Sequence, residues 1–138
     1  MQVSEALELR RKLEEEKDAI AKEVYTLINQ QAVNLPETAQ LQNLRTVAAG
    51  TKSLEELKIY ILYQMSREMQ NPPIDPQFGC ALLQCIKNLK PTDGNNNFWV
   101  EKVRLFLGYL GRYARYARAE RKRKQRQTQE PRRGELQR

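Results

Sequence analysis

The chain has 138 residues, 24 Lys/Arg against 17 Asp/Glu, two cysteines and no histidine, for a net charge of +7. That length suffices for one domain with its own core. The missing histidine excludes Ser-His-Asp and Cys-His nucleophiles, histidine metal sites and histidine proton relays, so composition favours a binding or structural protein over an enzyme and implies no cofactor.

The first predicted helix runs from about Ser4 to Gln31. Ala6, Leu13, Ile20 and Leu27 recur every seven residues, with Leu9, Val24 and Ile28 beside them, and the remaining surface is charged. The start, MQVSEALELRRKLEEEK, is acidic and mixed and does not read as a secretory leader. Pro36 disfavours a helical Leu35 and interrupts. A shorter helix follows to Ala49 through Leu41, Leu44, Val47 and Ala48, with Gly50 as its stop.

Ser53-Leu-Glu-Glu56 reads as a capping box for a third helix carrying Leu54, Leu57, Ile61, Met65 and Met69. Asn71-Pro-Pro-Ile-Asp-Pro76 is a rigid connection. Asp75 is the expected N-cap of a fourth helix, with Pro76 at its first position. The stripe Phe78, Ala81, Leu82, Cys85, Ile86 and Leu89 follows. After the loop Pro91–Asn97, with Asn97 as a candidate cap, a fifth helix spans about Phe98 to Arg126. Its apolar stripe is Trp99, Val103, Phe106, Leu110, Ala114 and Ala117. The expectation is an all-α bundle of about five helices over 1–126, with a disordered basic tail over 127–138. No apolar run approaches the roughly 20 residues of a membrane span. Cys80 and Cys85, without a second pair or a histidine, imply neither a metal site nor an oxidising compartment, and a cytoplasmic location fits.

Charge is unevenly distributed. Residues 1–98 carry 11 Lys/Arg against 13 Asp/Glu, a net of −2, whereas residues 99–138 carry 13 against 4, a net of +9. At 100° per residue, Arg104, Arg112, Arg115, Arg118, Lys122 and Arg126 gather opposite the apolar stripe of the fifth helix, along roughly 33 Å. Tyr109 and Tyr116 fall at the border, with Tyr113 nearer the buried side. Arginine forks pair phosphate oxygens, and rings interleaved with them suit unstacked bases. The pattern predicts sequence-independent nucleic-acid binding with steep salt dependence. The competing readings are a solvated helix face, ion pairs to the acidic first helix, and, for the tyrosines, edge packing. Gly108 and Gly111 stand mid-helix, where glycine is costly, and imply close approach of a helix or a partner.

The architecture of 1–126 and the stretch Phe106-Leu-Gly-Tyr-Leu-Gly-Arg-Tyr-Ala-Arg-Tyr-Ala-Arg118 resemble the small subunit of CRISPR effector (Cascade-type) complexes. They look most like the subtype I-D version made from the 3′ end of the large-subunit gene. The resemblance implies several copies stacked within a ribonucleoprotein complex for antiviral defence. Such copies contact other effector subunits and hold the DNA backbone of an R-loop or of the guide RNA–target duplex. By that likeness Arg112, Arg115, Arg118 and Lys122 are the strand contacts. The alternatives are a structural helical adaptor and a stand-alone RNA- or DNA-binding protein.

Overall fold

In the computed structural model of the chain, the structure describes residues 2–67 and 70–136, with side chains over 3–67 and 70–128. The described residues form five helices and no strand: α1 (Gln2–Gln30), α2 (Thr38–Ala49), α3 (Leu54–Ser66), α4 (Pro76–Asn88) and α5 (Asn96–Leu136). A short 3-10 turn, Ala32–Asn34, joins α1 to α2. Met69, expected on the third helix, lies outside the described residues.

Local chemistry sets the starts of these helices. Asp75 accepts from the Gln77 and Phe78 amides at 2.9 and 3.3 Å, with Pro76 in the first turn of α4. Ser53 accepts from the Glu56 amide at 3.1 Å. The reciprocal half of that box is relayed, because Thr51 Oγ1 accepts from the Ser53 amide and donates to Glu56. At α5 the expected cap moves back two residues. Asn95 Oδ1, not Asn97, accepts from the Phe98 amide at 3.0 Å. Asn95 is itself held by Asp93, which accepts from its amide at 2.9 Å.

One core joins all five helices. Ile20, Val24, Leu27 and Ile28 of α1 meet Leu41 and Leu44 of α2, Leu57 and Ile61 of α3, Phe78, Leu82 and Ile86 of α4, and Val103, Phe106, Leu107 and Leu110 of α5. The central helix of this arrangement is α5, which packs mainly on α1 and α2. Burying such side chains contributes about 1.5–3 kcal/mol each, before the entropy of ordering them. The helical stripes expected for α4 and α5 form this core, with Trp99 and Ala117 at its margin. The Trp99 indole N–H donates to the Ile86 carbonyl at 2.9 Å.

Several local expectations change. The stripe on α1 is buried only in its second half, and Ala6 is exposed. Gly50 stops α2 as expected, though in a right-handed conformation with φ −91° and not in the left-handed one that favours glycine. Gly108 and Gly111 serve no close packing: a Cβ at Gly108 would meet nothing within 4 Å, and one at Gly111 only Arg45 Cδ at 3.8 Å. The close approach lies at Gly79, where a Cβ would collide with the Met65 side chain of α3. The helix expected to stop near Arg126 continues as α5 to Leu136. In that continuation Thr128 Oγ1 donates to the Lys124 carbonyl at 2.9 Å. Expected disorder over 127–138 falls, for the side chains of 129–138, outside the described residues.

Candidate nucleic-acid interface

The six cations placed on one face of α5 divide into two groups, and the reason is what lies beside them. The last carbonyls of any helix have no partner within it. The α2 C-terminus has no left-handed cap to turn its carbonyls back, and it lies against α5. Arg104 reaches across and caps it. Its guanidinium donates to the carbonyls of Ala48 at 2.9 Å, Thr51 at 3.0 Å and Ala49 at 3.5 Å, and to Glu101 at 2.7 Å. A cation at a helix C-terminus also meets the negative end of the helix dipole.

Arg118 does the same for the connection ahead of α2. It donates to Thr38 Oγ1 at 3.0 Å, to the Leu35 carbonyl at 3.2 Å and to the Pro36 carbonyl. Neighbouring Arg121 donates to the Ala32 carbonyl at 3.1 Å. Arg104 and Arg118 are therefore partly buried struts. Their forks are occupied by backbone oxygen, and they are corrected out of the set of open phosphate contacts.

Arg112, Arg115, Lys122 and Arg126 behave differently. All four are exposed. None has an ion pair or hydrogen bond within the described residues. They fall within a sector of about 80° on α5 and extend over roughly 21 Å. Among the described residues no carboxylate of the acidic first helix pairs with them, and several of its charges are used locally. Arg11 pairs with Glu8 and Glu15 at 2.5 Å each, and Lys17 pairs with Glu14 at 2.6 Å. Arg11 holds the Glu8 carboxyl below the usual carboxylate range, chiefly by a side-chain hydrogen bond. The contact of α1 with an α5 cation at 4.0 Å, Glu16 to Lys102, lies on the inner side of α5. Lys102 is buried there against the Phe98 ring.

A further cation joins the free face from another helix. Arg45 of α2 is exposed and lies alongside Gly111, its Nη1 donating to Gln42 at 3.4 Å. Sequence reading missed it because a single arginine on a short helix carries no periodic signal.

The border tyrosines are also placed. Tyr109 is half-buried and packs against the core, while Tyr116 is 57% exposed. Tyr116 stacks on Tyr113 with centroids 5.8 Å apart, and Tyr113 meets Tyr25 of α1 edge-on at 4.8 Å. Cys85 is buried and Cys80 exposed. Burial, with Glu23 nearby, pushes the Cys85 thiol up to about 12, so it stays protonated and inert at neutral pH.

No protein-family model, curated protein or solved structure matches this chain. Its function is therefore argued from its own side chains. Among the described residues, no helix is long and apolar enough to cross a membrane.

Proposed function

We propose that this protein is a non-catalytic, sequence-independent nucleic-acid-binding subunit acting in the cytoplasm. We liken its role to that of the small subunit of RNA-guided CRISPR effector complexes, present in several copies. The observation that carries this reading is the row Arg112, Arg115, Lys122 and Arg126, exposed and without a partner among the described residues, with Arg45 beside it. A row of guanidinium and ammonium groups with no protein partner binds phosphates and releases their counterions. It reads no base edges, so it supplies affinity without sequence choice.

Such a row suits a strand-holding role. Exchange of a DNA duplex for an RNA–DNA hybrid is close to energetically balanced, so modest backbone contacts on a freed strand tip it. This requires charge, reach and repetition rather than an active site. A second reading, a structural helical adaptor, is favoured by one observation: Ile59, Leu62 and Tyr63 form an exposed apolar face on α3.

Filter binding of a 20-nucleotide single strand across a salt series separates the two. Four phosphate contacts predict a log–log salt slope of about −3. A flat salt response, or no binding at low salt, overturns the nucleic-acid reading. Co-expression with the larger effector subunits tests the assembly, with recovery of guide RNA on this chain as the expected result. Absence of RNA and partners in that pull-down, with strand binding intact, leaves a stand-alone nucleic-acid-binding protein.

A further inference from the structure

Beside the free cations lies a cleft of about 440 Å³ between α1 and α5, lined by Lys17, Asp18, Tyr25, Arg112, Tyr113 and Tyr116. Three of its rings form a connected set. Tyr113 stands in the middle, edge-on to Tyr25 at 4.8 Å and stacked with Tyr116 at 5.8 Å. The outer two rings are 47% and 57% exposed. None of the three phenolic hydroxyls has a hydrogen-bond partner among the described residues. Large exposed rings cost free energy in water, and buried tyrosines ordinarily find a partner for the hydroxyl. Here Tyr113 is partly buried against the core, while the Tyr25 and Tyr116 rings stay open to solvent.

We infer that this cleft seats an unstacked nucleobase, so that the strand held by α5 is single-stranded. The inference rests on the nucleic-acid reading above and narrows it to one class of strand. Every base offers a π-face, so ring stacking tolerates any sequence and agrees with a backbone-reading row of cations. Arg112 belongs to both features. It lines the cleft and continues the row to Arg115, so a strand with its phosphates on that row brings a base to Tyr116, one helical turn from Arg112. Asp18 on the rim repels phosphate, which keeps the backbone on the α5 side. A paired duplex keeps its bases inside the stack and has nothing to place in the cleft.

The full chain is tested against three ligands at one salt concentration: a 20-nucleotide oligothymidylate, a 20-base-pair duplex and long-chain inorganic polyphosphate. The single strand is expected to bind about tenfold more tightly than the duplex. Tyr116→Ala and Tyr25→Ala are each expected to weaken oligothymidylate about tenfold, a typical loss for one stacked base, and to leave polyphosphate unchanged. Tyr25→Phe retains the ring and is expected to bind as the parent does, which guards against a folding defect in the alanine variant. Equal binding of strand and duplex, or equal shifts for strand and polyphosphate in the tyrosine variants, overturns the base-seating inference while the phosphate-binding reading stands. Failure of all three ligands to bind overturns both.

Discussion

Two long helices of this protein carry many charges, and they use them in opposite ways. On α1 two cations are silenced locally: Arg11 is gripped by Glu8 and Glu15, and Lys17 by Glu14. Pairs of this kind stiffen an exposed helix slightly and leave little charge for a partner. On α5 beyond Arg112, Arg123 pairs with Glu120 at 2.9 Å, and among the described residues Arg112, Arg115, Lys122 and Arg126 have no such partner. A basic count therefore does not make a binding surface. Cations do so when neither a carboxylate of the same helix nor a carbonyl across the packing interface takes them up.

The largest effect expected from this contrast comes from reversing the free row. Arg112→Glu, Arg115→Glu and Lys122→Glu together should weaken single-strand binding by at least about 100-fold at low salt, and should flatten the salt slope by about 2 for the three contacts removed. Circular dichroism should show unchanged helicity, since all three side chains are exposed without partners. Retained affinity would place the interface elsewhere.

Arg104→Ala tests the other side of the division. It removes hydrogen bonds from a charged donor to the carbonyls of Ala48, Ala49 and Thr51 and should cost about 2 kcal/mol in urea unfolding. Strand affinity in the folded protein should change little. A large binding defect with full stability would return Arg104 to the phosphate-contacting set. Gly79→Ala places a methyl against Met65 and should cost about 1–2 kcal/mol, the excluded volume outweighing the better helix propensity.

Smaller effects sharpen the comparison. Glu8→Gln with Glu15→Gln releases Arg11, and polyanion affinity should rise slightly while stability hardly moves. Since Arg11 lowers the Glu8 pKa from 4.5, the pair stabilises above that value and is lost as pH falls through the lowered one. A shallow decline in thermal stability should appear only in acid. Cys85 behaves in the reverse sense. Its pKa is raised from 9.0 to about 12, so stability is full below pH 9.0 and declines as pH climbs from there toward 12. Alkylation at pH 8 should modify exposed Cys80 and spare Cys85, as mass spectrometry of the native protein would show.

Much of the fold was legible because helix periodicity and capping are local properties. The α5 stripe through Val103, Phe106, Leu110 and Ala114 repeats every three or four residues, and no other element is needed to recognise it. Asp75 with Pro76 and Ser53 with Glu56 announce their helices within four residues. The outward position of Arg112, Arg115, Lys122 and Arg126 was readable for the same reason. The half-exposed start of α1 was not, because its stripe is identical in kind to the buried half and only the reach of the bundle distinguishes them.

The sequence alone determined the order of the five helices and which face of each is apolar or cationic, since both follow from interactions within about one helical turn, but not the end of α5, which runs on to Leu136. The tertiary structure decided which cations are occupied. Arg104 is spent on carbonyls more than fifty residues away, and Arg118 on carbonyls more than eighty away. Tyr25 reaches Tyr113 only because α1 packs along α5. A side chain's availability depends on what lies within a few ångströms of its tip, and chain folding sets that distance while helix periodicity does not.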